Sequence, residues 1–220
     1  MNELVAYVLI PFSAYLLGSV PFGLLLCRLV KGVDIREHGS RNIGAANAGR
    51  VCGWPFFVGT FLLDFAKGLA AVLLGVRVAC WWLCWRDAPP AQAETPELLG
   101  VLYGLCAILG HAFPLHLRFR GGKAVATGFG VFVALAPVAA LIAFGVWVVL
   151  FVAFRYASLA SMAAAVAAPV ALAVLEREAF SVRLPVFILA VVVSAFVIIR
   201  HRANIRRLLA GTENRFGRKK

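Results

Sequence analysis

The segment AVATGFGVFVALAPVAALIAFGVWVVLFVAF, residues 124–154, decides the fold that the sequence predicts. One membrane-spanning helix needs about 20 apolar residues, so this segment is too long for a single ordinary span. Pro137 lies inside it, and a proline ends or kinks a helix because it lacks an N–H donor. We therefore predict a short helix over 124–135 that turns into a full helix over 138–154.

The composition of the whole chain is that of a membrane protein. Of its 220 residues, 62% are hydrophobic and only 15% are charged, which is too apolar for a soluble domain of this length. The net charge of +12 lies in short groups between apolar runs, so we expect the lipid bilayer and anionic substrates as partners and no nucleic acid. The other apolar runs cover residues 4–29, 52–76, 98–117, 157–175 and 184–200.

The charges between these runs indicate how often the chain crosses the membrane. Segments 28–50, 118–123 and 200–220 are basic, whereas the N-terminus and segments 86–97 and 176–183 are acidic or balanced. Six spans would result if 124–154 crossed once, and seven if it crossed twice. Because basic segments favour the cytoplasm, we predict an all-α integral membrane protein with seven transmembrane helices, its N-terminus outside and its C-terminus cytoplasmic.

The same pattern predicts one polytopic membrane domain over residues 1–220. The segment RDAPPAQAETPE, residues 86–97, is the only obvious connector outside the membrane. The N-terminus begins MNEL, with an acid where a cleavable signal peptide has basic residues, so we expect the first span to remain. The five cysteines form no CxxC pair, and His111 and His116 are five apart. We therefore expect no metal and no cofactor.

Four polar clusters lie on the cytoplasmic side of the predicted topology, so we expect them to build one site there. Each cluster alone is also explained by the preference of basic residues for the cytoplasmic membrane edge. The clusters are HGSRNIGAANAGR (38–50), LRFRGGKAVATG (117–128), FRYASLAS (154–161) and RHRANIRRLLAGTE (200–213).

The second cluster has the residues of an anion site. Gly121 and Gly122 would let backbone N–H groups approach a ligand, Lys123 supplies a positive charge, and a helix is predicted to begin just after it. The cluster is not a Walker A loop, because Leu117 and Ala124 stand where that motif needs glycine and Ser or Thr. An ordinary basic turn at the membrane edge is the alternative.

In the first cluster, Ser40, Asn42 and Asn47 supply hydroxyl and amide groups, and Arg50 could bind a phosphate with its planar guanidinium. A flexible basic loop is the alternative.

In the last two clusters, two pairs of residues lie three apart and so share a helix face: His201 with Asn204, and Arg155 with Ser158. An interfacial helix and a membrane-edge anchor are the plainer interpretations.

Two charged residues within the second apolar run need a separate interpretation. Asp64 and Lys67 are three apart and can pair across one helical turn. We favour a structural ion pair over a catalytic role. The sequence also contains no GxSxG motif, and no histidine is followed five residues later by aspartate. A reaction in this protein must therefore need little help with proton removal.

Taken together, the motifs resemble the bacterial acyl-phosphate:glycerol-3-phosphate acyltransferase family from near one end of the chain to the other. The first cluster departs from the family pattern GSGNIGATNVxR, because Arg41 replaces glycine, Ala46 threonine and Ala48 valine. The motifs that carry the resemblance are GSVPFG (18–23), GSRNIGAANAGR (39–50), DFAKG (64–68), GHAFPLHLRFRGGKAVATG (110–128), RYASLAS (155–161) and HRANIRRLLAGTE (201–213).

The resemblance implies transfer of a fatty acyl group from acyl phosphate to the 1-hydroxyl of sn-glycerol 3-phosphate, giving lysophosphatidic acid and phosphate, in phospholipid synthesis at the bacterial inner membrane. A membrane transporter or channel for phosphate-type anions is the alternative. The resemblance implies that Ser40, Arg50 and Lys123 bind phosphate and that Asn42 and Asn47 shape their loop. It implies that His201 and Asn204 orient the substrate and that Glu213 supports its basic neighbours. Further substrate contacts are implied for Arg155, Ser158, Gly121 and Gly122.

Overall fold

The computed structural model of the protein describes residues 2–84, 96–176 and 179–217. Every regular element in these ranges is helical, so the predicted all-α class is confirmed. The helices form two compact units, Met1–Leu135 and Ala136–Lys220. The single domain over 1–220 stays a prediction. Most of the predicted connector over 86–97 lies outside the described residues. Glu178 and the last three residues, 218–220, which are all basic, also lie outside them.

The first unit contains seven α-helices among its described residues. A π-helical turn, Val5–Leu9, joins the first two helices, and a 3-10 turn, Leu115–Leu117, lies between the last two. The helices are α1 (Asn2–Leu4), α2 (Ile10–Ser19), α3 (Phe22–Lys31), α4 (Ala45–Cys52), α5 (Trp54–Cys84), α6 (Pro96–Ala112) and α7 (Val125–Leu135).

The second unit contains four helices among its described residues: α8 (Pro137–Phe154), α9 (Ala157–Leu175), α10 (Leu184–Arg200) and α11 (Arg202–Leu209). Helix α9 packs against both α8 and α10. The Trp147 indole N–H of α8 donates to the Ser161 hydroxyl of α9 at 3.2 Å, and the Phe151 ring meets Phe216 of the tail edge to face. The tail after α11 therefore packs back on the end of α8.

The helix lengths support between four and six membrane spans among the described residues. Four helical segments are long and apolar enough to cross alone: Trp54–Trp82, Pro96–Leu117, Pro137–Phe154 and Ala157–Leu175. Two bent pairs bring the number to six: Val5–Ser19 with Phe22–Lys31, bent by 40°, and Leu184–Arg200 with Arg202–Leu209, bent by 56°. Helix α7 is a shorter apolar helix, so the seventh span stays a prediction.

The predicted break inside residues 124–154 is confirmed. Helix α7 ends at Leu135 and α8 begins at Pro137, while Ala136 between them has φ −146° and ψ 71°, outside the helical region. Proline is well tolerated in the first turn of a helix, where its missing N–H has no intrahelical partner. By contrast, the first apolar run, 4–29, is not one helix: α2 ends at Ser19, before Pro21.

Glycines bring the helices of the first unit into close contact. Gly68 of α5 and Gly130 of α7 face each other's helix, and Gly18 of α2 and Gly110 of α6 do the same. A Cβ atom added at any of the four would fall 2.1 Å from a backbone oxygen of the facing helix. Small residues at these positions therefore allow the backbones to touch, which is how helices associate in membranes.

Candidate active site

The loop before α4 is built around the side chain of Asn47. This residue is buried, and its Oδ1 accepts the Ser40 N–H at 2.8 Å. Its Nδ2 donates to the carbonyl oxygens of Ile35 at 2.7 Å and His38 at 3.2 Å. Both ends of the amide are thus bound to backbone groups of the loop, which argues against a flexible segment.

Asn42 and the start of α4 complete this loop. The Asn42 Oδ1 accepts the Gly44 N–H at 2.9 Å, a side-chain turn that is typical of asparagine before a helix. Helix α4 begins at the next residue, and Arg50 lies in its last turn, half-buried. The loop therefore fixes the backbone of Ser40 and the start of the helix that carries Arg50.

The turn that carries Lys123 differs from the sequence-based expectation. The Gly121 N–H donates to the Ala112 carbonyl at 3.2 Å, and the Gly122 N–H donates to the His111 carbonyl at 3.0 Å. Both N–H groups are thus bound to the end of α6, and the binding of an anion at this turn stays a prediction.

The two glycines are instead required by packing. A Cβ at Gly121 would fall 2.2 Å from the His111 carbonyl oxygen, and one at Gly122 would fall 2.0 Å from the His111 Nε2. Lys123 follows directly and is half-buried, and α7 begins at Val125, close to the predicted start. The turn is thus packed tightly on α6 and presents Lys123 just before a helix.

In the second unit, Glu213 gathers three side chains around a buried carboxylate. Its Oε1 accepts the Ser158 hydroxyl at 2.9 Å and the Asn204 amide at 2.7 Å. Its Oε2 accepts the Arg207 Nε–H at 2.7 Å. Burial acts to raise the pKa of Glu213, but the hydrogen bonds from Asn204, Arg207 and Ser158 outweigh it and hold the pKa below its usual value. The group is therefore an ionised acceptor at neutral pH.

His201 lies at the bend between α10 and α11. The ring is buried, and its Nδ1 is 2.8 Å from the Val197 carbonyl oxygen. Because a carbonyl can only accept, Nδ1 carries a proton in this bond. Asn204 lies one turn later and is also buried, so the shared helix face that the spacing predicts is present at the start of α11.

Arg155 ends α8 in the left-handed conformation, with φ +59°. Its carbonyl oxygen accepts the Phe216 N–H at 2.9 Å, and the Arg215 Nε–H donates to the Phe154 carbonyl at 3.1 Å. The two arginines border a cleft of about 350 Å³, lined by Ala153, Arg155, Arg215, Phe216 and Gly217. Arg215 is a basic group at this cleft that is not among the residues predicted from the sequence.

Each unit thus holds part of the predicted set of residues. In the first unit, Ser40, Asn42 and Asn47 form one hydrogen-bonded loop leading to Arg50, and Lys123 lies on the packed turn. In the second unit, Ser158, Asn204 and Glu213 are in direct contact. Arg207, which is not among the residues predicted from the sequence, joins this group through Glu213.

Comparison with known proteins now decides the family. Residues 8–211 match the family described as glycerol-3-phosphate acyltransferase. The chain belongs to that family. The glycerol-3-phosphate acyltransferase of Thermosynechococcus vestitus is 44% identical over 219 residues, which are 99% of this chain and 98% of the relative. The resemblance found in the motifs is confirmed, and the protein is an acyltransferase.

Two solved structures of the glycerol-3-phosphate acyltransferase family have the same fold. Both are crystal structures of PlsY (YgiH), an integral membrane glycerol 3-phosphate acyltransferase, and each covers 96% of this chain and 95% of its own. Its glycerol 3-phosphate form has a TM-score of 0.80 at 40% identity. Its lysophosphatidic acid form has a TM-score of 0.78 at 39% identity. The present acyltransferase is therefore an integral membrane protein of this fold.

One departure from the acyltransferase family pattern has a backbone consequence. Arg41 replaces a glycine and has φ +58°, in the left-handed region that glycine adopts without strain. The side chain is exposed, so the substitution places a charged group on the loop without crowding its core. Arg41 thus adopts a backbone conformation that suits glycine.

Proposed function

We propose that this acyltransferase moves a fatty acyl group from acyl phosphate to the 1-hydroxyl of sn-glycerol 3-phosphate, giving lysophosphatidic acid and phosphate, as a step of phospholipid synthesis. The likeness over 96% of the chain to a protein solved in glycerol 3-phosphate and lysophosphatidic acid forms carries this proposal. Those two molecules differ by one acyl group. The donor follows from the motif resemblance and from the absence of a His-x4-Asp pair, on which the acyl-CoA-using glycerol phosphate acyltransferases rely.

The reaction needs little proton chemistry from the protein. The glycerol 3-phosphate hydroxyl oxygen attacks the carbonyl carbon of the mixed anhydride, and the bond from that carbon to the phosphate oxygen breaks. The released phosphate accepts the hydroxyl proton, so atoms and charge balance without an enzymic base. The chain's own task is to bind two phosphate groups in register and to exclude water.

The site residues have roles that fit their places in the fold. Lys123, Arg50 and Ser40 bind phosphate oxygens, and Asn42 and Asn47 hold the loop that positions Ser40. His201 and Asn204 orient glycerol 3-phosphate, with Arg155 and Ser158 as further contacts. Glu213 supports this group, because its carboxylate accepts from Ser158, Asn204 and Arg207. Gly121 and Gly122 serve the site by letting the Lys123 turn pack on α6.

The proposed topology has seven spans, an outside N-terminus and a cytoplasmic C-terminus, with the site facing the cytoplasm at a bacterial inner membrane. Helix α7, Val125–Leu135, would then cross by itself. At 1.5 Å per residue it is only about 17 Å long, roughly half the hydrocarbon core. The seventh span therefore requires a recess in which the Lys123 turn lies below the membrane surface but is enclosed by protein.

Labelling tests this topology. In a cysteine-free variant, cysteines placed at Ala91 and Thr212 should react with an impermeant reagent from opposite faces, outside for position 91 and inside for position 212. Reaction of both from one face would exclude the seven-span arrangement.

The activity is tested with purified protein, palmitoyl phosphate and labelled glycerol 3-phosphate. We expect lysophosphatidic acid to form, and palmitoyl-CoA to be a poor donor. Equal turnover with palmitoyl-CoA would contradict the donor, and no product with either donor would contradict the reaction. Uptake of labelled phosphate into sealed vesicles would instead support a transporter.

Lys123 gives the sharpest test of the residue roles. Lys123→Ala removes a charge-assisted bond of about 1.5 to 3 kcal/mol, which is roughly a ten- to hundredfold loss of kcat/KM. Lys123→Arg should also be impaired, because a planar fork does not replace a compact ammonium. Arg50→Ala should resemble Lys123→Ala. The matched control is Arg120→Ala, an exposed basic residue of the same turn, which should be nearly silent.

A further inference from the structure

Three side chains that can carry a charge near neutral pH are buried within the described helices of the first unit, outside the set assigned to substrate. They are Asp64 and Lys67 of α5 and His111 of α6, and none is more than 4% exposed. Charged groups within membrane helices are costly and persist where they pair or serve function. We call these three residues the buried charge cluster.

The first contact of the cluster ties α5 to the break in the first span. The Lys67 Nζ is 2.7 Å from the Asp64 Oδ1, so the ion pair that the spacing predicts is present. The same Nζ donates to the Val20 carbonyl at 2.8 Å. Val20 is the extended residue between α2 and α3, where the chain leaves the helical hydrogen-bond pattern. The Val20 carbonyl also accepts the Phe22 N–H at 3.2 Å, so Lys67 adds a second hydrogen bond at the break between α2 and α3.

The second contact ties Asp64 to α6. The His111 Nδ1 is 3.6 Å from the Asp64 Oδ1. The other side of the imidazole faces the turn before α7, since a Cβ at Gly122 would fall 2.0 Å from Nε2. The His111 carbonyl also accepts the Gly122 N–H at 3.0 Å. His111 therefore holds Gly122 through its ring and through its backbone, and the next residue is Lys123.

We propose that Asp64 and His111 are positioning residues for Lys123, acting through Gly122. Asp64 fixes the imidazole, the imidazole fills the space that Gly122 leaves, and the backbone of Lys123 is thereby held. A lysine side chain is long and flexible, so a fixed backbone limits where its ammonium can lie. This inference rests on the proposed contact between Lys123 and a substrate phosphate.

A double-mutant cycle separates positioning from general structural support. His111→Ala should lower kcat/KM about tenfold in the otherwise native protein but less than twofold in a Lys123→Ala background, because the ammonium to be positioned is then gone. Asp64→Asn should behave in the same way. His116→Ala, an exposed histidine of the adjoining 3-10 turn, is the control and should leave activity near the native level.

A size exchange tests the contact itself. Gly122→Ala should impair activity, and adding His111→Ala should return part of it, so that the pair exceeds either single variant. Gly121→Ala is the matched control. Its Cβ would meet the backbone oxygens of His111 and Ala112, so His111→Ala should not rescue it.

The outcomes are distinguishable. Equal losses from His111→Ala in both backgrounds, or no rescue of Gly122→Ala, would overturn the positioning role while leaving the phosphate contact of Lys123 in place. A silent Lys123→Ala would overturn the phosphate contact and, with it, the positioning role. Thermal midpoints of all variants, measured in the same detergent, show whether a loss of activity follows a loss of fold.

Discussion

The substitution Glu213→Gln should destabilise the second unit by a modest and specific amount. The carboxylate divides its bonds: Oε1 accepts from Ser158 and Asn204, and Oε2 accepts from Arg207. A glutamine can keep its oxygen toward the first two donors. Its NH₂ group then faces the Arg207 Nε–H, donor against donor, so this one charge-assisted bond is lost.

The size of the effect follows from that geometry. A hydrogen bond to a charged group contributes about 1.5 to 3 kcal/mol when buried. The Arg207 side chain is 34% exposed, so water replaces part of the interaction and we expect a loss of about 1 to 2 kcal/mol. For a protein of this size, that corresponds to a fall in Tm of about 2 to 8 °C. Glu213→Ala also strands the buried Ser158 and Asn204 donors and should cost roughly 3 to 5 kcal/mol.

Thermal unfolding in detergent at several pH values measures both predictions. The folded pKa of Glu213 is held below its ordinary value of 4.5, so its contribution is fully present above about pH 4.5 and is lost as the pH falls through the folded pKa. The native protein should therefore lose more stability on acidification than Glu213→Gln does. Equal Tm values for Glu213→Gln and Glu213→Ala, or parallel acid profiles, would refute the division of bonds described above.

Three further substitutions test other parts of the fold through Tm and activity. Asn47→Asp removes both amide donors to the Ile35 and His38 carbonyls, so it should cost at least about 2 kcal/mol and raise KM for glycerol 3-phosphate; a native KM would contradict this. Gly130→Ala places a Cβ 2.1 Å from the Phe65 carbonyl oxygen, so it should lower the stability of the fold by about 1 to 3 kcal/mol. The control is Gly145→Ala, whose Cβ would meet nothing within 4 Å, so it should be neutral or slightly stabilising. Arg41→Gly relieves a φ of +58° and should raise stability by up to about 1 kcal/mol with activity retained; a lower Tm would show that the Arg41 side chain itself contributes.

The sequence predicted the features that depend on local chemistry. Pro137 marks the break between α7 and α8 because its ring restricts the preceding residue, Ala136, to a non-helical conformation. The first apolar run was less well predicted, because its length outweighed Pro21, which follows the end of α2. A proline inside an apolar run had the same meaning in both places. The run 124–154 is too long for a single span, so its proline predicts a helix break, whereas the length of the run 4–29 predicts one span.

The glycine pair before Lys123 shows why spacing alone could not predict the contacts of this turn. A glycine permits close approach of whatever faces it, whether a ligand or another part of the chain. At Gly121 and Gly122 the facing groups are the carbonyls and imidazole at the end of α6. The two possibilities differ only in the folded structure, so the spacing could mark the turn but could not show which groups bind the Gly121 and Gly122 N–H groups.

The buried charge cluster was hidden for a related reason. His111 and His116 are five apart along the chain, so they share no helix face. The actual partner is Asp64, in the preceding long helix. Asp64 lies in the first half of α5 and His111 in the last turn of α6, and the His111 Nδ1 is 3.6 Å from the Asp64 Oδ1. An unpaired charge is most costly in the apolar core of the membrane. The partner of an ionisable residue in a membrane helix is therefore to be sought first among the polar residues of the neighbouring span.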